Sequence, residues 1–204
     1  MSRVEIKQWA KEKIKGHLWE LLIPIIIASV LTSLTVGQKV EMVDGTLKVT
    51  SAGISLGIFF YFVQVGLIYF MTKFITDKEH GLGDLFHFAN DYVRTFLTGL
   101  LMAVFVFLWS LLLVVPGIIK AIAYSLVPYL LADEKYNKLG YKEILLKSEE
   151  MMNGHKMDYF VLFLSFIGWH ILAIFTLGIL EIWIIPYQTT ATVKFLNDIK
   201  ENYK

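Results

Sequence analysis

The chain has 204 residues, 56% of them hydrophobic and 18% charged, with a formal net charge of +1 and a mean hydropathy of +0.58. A soluble domain is nearer half apolar and a quarter charged, so this balance excludes an ordinary soluble globule. The small net charge leaves no electrostatic footprint for nucleic acid, and the absence of cysteine excludes disulfides, thiolate metal sites and a cysteine nucleophile.

In chain order, the first segment is amphipathic. It places Ile6, Ala10 and Ile14 on one face, beside Trp9, and carries Arg3, Lys7, Lys11, Lys13 and Lys15. A break at Gly16-His17 leads into the apolar run Leu18–Val36, whose one charge is Glu20. No small-residue cleavage site follows that run, so it reads as a retained spanning helix rather than a signal peptide. Next, Lys39–Val43 and Thr46–Thr50 flank Asp44-Gly45, a type I′ turn signal that predicts a small external β-hairpin at 39–50 with Glu41 facing Lys48. Such a hairpin either joins two helices or offers a lid or strand to a partner. Ile54–Ile75 is the second apolar run. Gly53 to Gly57 reads as a small-residue face for close helix packing.

A second amphipathic stripe follows at Leu82, Leu85, Phe86, Ala89, Tyr92 and Val93. The long run Phe96–Leu131 holds one charge, Lys120, and turns at Pro116-Gly117. Its return limb, Ile118–Ala132, is about 22 Å long and short of the roughly 30 Å hydrocarbon core, so it is expected as a short span kinked at Pro128. The third stripe, Tyr141, Ile144, Leu145, Ser148, Met151 and Met152, repeats the second at a constant offset of 59. It ends in a second Gly-His break, Gly154-His155. The last apolar run, Tyr159–Val193, holds only Glu181 and turns near Thr176-Leu177-Gly178.

Lysine and arginine beside helix ends favour the cytoplasm. The N-terminal segment, Asp77–Thr95, the lysine-rich Asp133–Lys156 and the C-terminal lysines are therefore expected inside. The predicted fold is an all-α membrane protein with six transmembrane helices arranged as three hairpins, each preceded by a cytoplasmic amphipathic interfacial helix. The three repeat units, 1–75, 76–134 and 135–204, form a single membrane domain, a common outcome of duplication.

Few residues in the spans could carry chemistry. Lys120 and Glu181 each lie three residues after the glycine of their turn, Gly117 and Gly178, so they are expected at equal depth near the outer face. Intramembrane charges face one another, water or the bundle interior, so the two either pair or snorkel separately to the outer interface. His170 reads as a proton relay or a hydrogen-bonded interior histidine. Tyr124 and Ser125 beside Ala121 read as a small-residue face for close helix packing, Tyr124 also standing with Lys120, Glu181 and His170 as a ligand candidate, and His17 and His155 read as interfacial or capping groups. His80, Asp84, His87 and Asp91 have ligand-like spacing, but glycines interrupt the segment and a solvated face accounts for them, so no metal or cofactor is expected. No nucleophile–base set, zinc helix or phosphate loop is present, so the chain is not expected to be an enzyme.

The stretch from Leu108 to Ser125, with Leu131-Ala132-Asp133, resembles an uncharacterised family of integral membrane proteins found mainly in Gram-positive bacteria. Met151 to Lys156, Leu164 to Trp169, Thr176 to Ile179 and Pro186-Tyr187 extend the resemblance. The family is known as domain of unknown function nine-seven-five. It is distantly similar to the membrane domain of some glycerophosphodiester phosphodiesterases, whose hydrolase domain has no counterpart here. The resemblance implies a multi-pass protein of the bacterial plasma membrane with no assigned activity. The expected role is a non-enzymatic module that binds or helps move a lipid or an amphipathic or small ligand such as a membrane-active peptide, alongside a membrane-protein partner. The alternative is a structural scaffold that organises partners or membrane shape.

Overall fold

The computed structural model describes residues 2–203 apart from 34, 37, 38, 44, 45, 52, 53, 56 and 113, and over 34–56 the description concerns the backbone. Helix α1 (Arg3–Lys13) starts at a capping box: Ser2 Oγ accepts from the Glu5 amide at 3.3 Å, and Glu5 Oε2 from the Ser2 amide at 2.8 Å. Beyond it Gly16 takes φ +89°, and α2 (Leu18–Ser33) leaves at 103° to α1. The second Gly-His break, between α7 (Tyr141–Met151) and α8 (Lys156–Phe175), has the same geometry, with Gly154 at φ +85°. The His17 amide donates to Ile14 O at 3.0 Å and the His155 amide to Met152 O at 3.1 Å. A Cβ is disfavoured in this left-handed conformation, which is why glycine stands at both breaks.

Between α2 and α3 (Tyr61–Ile75) lie four short strands: β1 (Thr35–Val36), β2 (Lys39–Val43), β3 (Thr46–Ser51) and β4 (Ile54–Ser55). β1 pairs with β4 and β2 with β3, both antiparallel, and the β2–β3 register sets Glu41 opposite Lys48. The expected turn Asp44-Gly45 and Gly53 lie outside the described residues.

After α3 come a 3₁₀ helix (Leu82–Ala89), α4 (Tyr92–Leu112), α5 (Val114–Ala123), α6 (Val127–Leu131), a short 3₁₀ turn (Glu134–Tyr136), then α7, α8 and α9 (Glu181–Asn202). α9 packs against α1, α2, α3 and α8, while α5 packs against α4, α7 and α8. Asp133 and Lys200, 2.9 Å apart, tie the end of α6 to α9. Burial alone would raise the Asp133 carboxyl, but hydrogen bonds from Lys200 and the Lys135 amide outweigh it and hold it below the usual aspartate range.

The helices correct the six-span expectation. Tyr92–Leu111 and Lys156–Phe175 are each long and apolar enough to cross a membrane, and only 17% of each is buried within the protein. α1 and α2 together pass the same test but are sharply bent, and Tyr61–Ile75 and Val115–Leu131 are shorter. Two helices, or three counting the bent pair, therefore meet the requirement among the described residues. Hydropathy finds apolar runs but does not see where a run breaks. The return limb 118–132 shows this: α5 ends at Ala123, and the chain turns through Tyr124–Leu126 before α6 begins at Val127, with Pro128 in its first turn. Proline has no amide hydrogen to continue a helix and suits a first turn, so the break precedes it rather than kinking one span.

The interfacial-helix expectation also changes. Ile6, Ala10 and Ile14 of the first stripe are buried within the protein, α1 lying along α9. In α7, Ile144, Leu145, Ser148 and Met151 are buried as well, with Met152 at its C-cap, and the helix packs against α4, α5 and α6. These faces are taken up by protein and are not left for lipid. The middle stripe does not form a single face: Leu85 and Phe88 are buried while Leu82, Phe86 and Val93 are exposed.

Candidate functional site

The proposed turn residues divide. Gly178, at φ +84°, does sit in the reversal between α8 and α9. Pro116 and Gly117 instead lie in the first turn of α5, where a missing amide hydrogen costs nothing because first-turn amides have no partner within the helix. Gly117 has another use. A Cβ there would fall 2.2 Å from Ser110 Oγ and 2.9 Å from Ser110 Cα, so glycine lets α5 lie directly against α4.

Lys120 and Glu181 do not pair with one another; each has its own partner. Lys120 Nζ is 2.6 Å from Glu149 Oε1 on α7, lies 5.3 Å from the centre of the Trp109 ring, and is 5.9 Å from that of Tyr124. Tyr124 is buried at the α5–α6 break. The two charges have separate partners because α5 ends after ten residues and packs on α7, which brings Glu149 to Lys120.

Glu181, the first residue of α9, places Oε1 2.8 Å from His170 Nδ1 on α8. The other ring nitrogen, Nε2, lies 2.7 Å from Gln188 Oε1. Both ring nitrogens are therefore engaged, so of the two readings of His170 the geometry contains the hydrogen-bonded one. Gln188 follows Glu181 by two helical turns and shares its face. That spacing was a signal in the sequence that would have found the third member. The cluster can hold a proton between imidazole and carboxylate, and it satisfies three polar side chains within an apolar helix pair.

The remaining polar candidates scatter. Asp84 Oδ1 binds Lys73 Nζ at 2.8 Å and Asp84 Oδ2 accepts from the Gly81 amide at 2.9 Å, while the His87 ring stacks on Tyr69. His80 Nε2 and His17 Nδ1 both reach the Glu20 carboxylate, at 2.7 and 2.8 Å. The His17 side chain thus binds Glu20, and His155 is the N-cap residue of α8 without a side-chain bond. Among the described residues no group of three or more histidines and carboxylates is placed to hold a metal ion.

A cleft of about 620 Å³, not foreseen from the sequence, opens where α1, the α7–α8 break and the end of α9 meet. Arg3, Glu150, His155, Asp158, Asp198 and Tyr203 line it. The Tyr203 hydroxyl donates to Glu150, and Lys147 Nζ lies 3.1 Å from the same carboxylate; together they hold Glu150 below the usual glutamate range. These residues come from three distant parts of the chain, so no local motif marks them.

No curated protein and no solved structure matches the chain, and the expected likeness to the diesterase membrane domain is not shown by either comparison. Residues 111–203, from the end of α4 through α9, match the family model described as Protein of unknown function (DUF975), and over this region the chain is similar to that family.

Proposed function

We propose that the chain is an integral protein of a bacterial plasma membrane, with both termini cytoplasmic, that holds a lipid or another amphipathic ligand without catalysing a reaction on it. The observation that carries this reading is the 620 Å³ cleft, where Arg3 stands among Glu150, Asp158 and Asp198, on a molecule whose α8 exposes Met157, Phe163 and Leu164. A cation and several carboxylates at one edge suit a charged or zwitterionic head, and an apolar helix surface suits its chain. Reconstitution in nanodiscs, followed by titration with a fluorescent phospholipid, tests it. Arg3→Ala with Asp158→Ala is expected to weaken binding at least fivefold without loss of folding; undiminished binding would move the ligand elsewhere.

A structural scaffold is the second reading. It is favoured by the engagement of Lys120 with Glu149 and of Glu181 with His170, which commits the intramembrane charges to holding helices together. Pull-down of a specific membrane-protein partner, with no lipid retained beyond the bulk composition, would support it.

A further inference from the structure

We infer that the α8–α9 hairpin enters the bilayer from the cytoplasmic side and ends inside it, its Leu177-Gly178 tip resting in lipid hydrocarbon without reaching the opposite surface. The inference rests on the membrane reading above and adds the depth and direction of one element.

The tip is built for a place without water. Ile174, Phe175, Leu177 and Ile179 are all largely exposed, Leu177 at 93%, and no charged residue lies between Asp158 and Glu181. Backbone groups at an ordinary reversal are left to water, which hydrocarbon cannot replace. Here the amides through the reversal are satisfied internally. Thr176 and Gly178 donate to Ala173 O at 3.1 and 2.9 Å, Leu177 to Ile174 O at 3.2 Å, and Ile179 to Thr176 O at 3.1 Å. The Leu180 amide donates to Thr176 Oγ1 at 3.3 Å, and Glu181 to Gly178 O at 3.0 Å. The Thr176 hydroxyl, the one polar side chain at the tip, donates back to Ala173 O.

Leu177 sharpens the point. Two non-glycine residues have positive φ among the described residues, Asp77 at 54° and Leu177 at 52°. Asp77 is the type of residue that a turn in water selects, and its carboxylate pairs with Lys13. Leucine is a poor choice for that conformation and a worse one for full exposure to water. In hydrocarbon the exposure becomes favourable and offsets the strain.

The depth follows from α1, which runs antiparallel to α9. Arg3 shares a cleft with Asp198 and Asn202, Lys194 Nζ lies over the Trp9 ring, and Lys11 and Lys15 share a cleft with Trp183. Trp183 is five residues past Gly178, about 8 Å along a helix. α1 carries charges at residues 3, 5, 7, 11, 12 and 13 and cannot lie across hydrocarbon. The charged layer therefore comes within roughly two turns of the tip, too close for the hairpin to cross a core about 30 Å thick. The His170–Glu181–Gln188 cluster sits at the same level and keeps its polar atoms paired.

The cysteine-free chain suits a direct test. Leu177→Cys and Ile179→Cys are made singly, with Lys138→Cys as an exposed control, and treated in cells with a membrane-impermeant maleimide from either side. Lys138→Cys is expected to label from the cytoplasmic side, and the two tip cysteines from neither side until detergent denaturation. A nitrobenzoxadiazole dye on the tip cysteines is expected to be quenched most by spin labels on acyl chains. Labelling of the tip from the outside would establish a full crossing. Labelling from the cytoplasmic side, or stronger quenching at headgroup depth, would place the tip in water. Each outcome overturns the inference while leaving the membrane reading intact. Release of the whole protein by alkaline carbonate would instead remove the membrane reading and this inference together.

Discussion

Residues 82–93 and 141–152 carry one apolar stripe written twice at an offset of 59, yet they fold differently. The later copy is an α-helix that buries Ile144, Leu145, Ser148, Met151 and Met152. The earlier is a 3₁₀ helix over Leu82–Ala89, and what it buries is Leu85 and Phe88, three residues apart, as three residues per turn require. The difference lies in what each segment rests on. Leu85 O sits where a Cβ on Gly66 of α3 would be, 2.1 Å from the ideal position, so the earlier segment presses its own backbone onto α3. Asp84 then fixes it, binding Lys73 on α3 and the Gly81 amide. α7 instead contributes side chains to the core, and Glu143 Oε2 caps its first turn at the Gly140 amide, 2.8 Å away. Equal hydropathy patterns become different helices when one neighbour admits backbone and the other admits side chains.

Three substitutions would break or sharpen this contrast. The largest effect is expected at Gly66→Ala, whose new Cβ meets the backbone of Leu85 and cannot be relieved by turning a side chain. It should cost about 3 kcal/mol and loosen the 3₁₀ segment first, read by thermal unfolding and by hydrogen exchange of the 82–89 amides. Ser148→Ala comes next. The Ser148 hydroxyl is fully buried and donates to Ala123 O at 2.7 Å, so its loss should cost about 1–2 kcal/mol. The aligned exposed position, Ala89→Ser, should change stability by less than about 0.5 kcal/mol. Equal effects at the two sites would mean that the segments are alike after all.

The smallest effect is a pH dependence at the end of α7. Glu150 is held below the usual glutamate range, so its contribution is present above the ordinary value and is lost as pH falls through the depressed one. Melting temperatures of wild type and Glu150→Gln should therefore differ near neutral pH and converge towards about pH 3. Parallel curves down to that pH would show that the Tyr203 and Lys147 contacts do not matter to folding.

Much of the architecture was legible. Long apolar runs marked α4 and α8, the two Gly-His pairs marked matching breaks, and Gly178 marked a real reversal. The sites were less legible. Lys120 and Glu181 stand out as lone charges at matched positions after their glycines, but a partner such as Glu149 lies on a polar helix face where nothing distinguishes it beforehand. The cleft was illegible for a plainer reason: Arg3, Asp158 and Asp198 meet only after three segments have packed.

The sequence by itself determined where apolar helices form, where glycine must break them and which residues cannot face hydrocarbon unpaired, because those properties depend on side-chain chemistry within a few turns. The tertiary structure alone decided which faces are covered by protein and which charges become partners. It also decided whether a stripe winds as α or 3₁₀, because each of these depends on what a distant segment brings against it. Helix length belongs to both: composition permits a span, and packing decides where it stops.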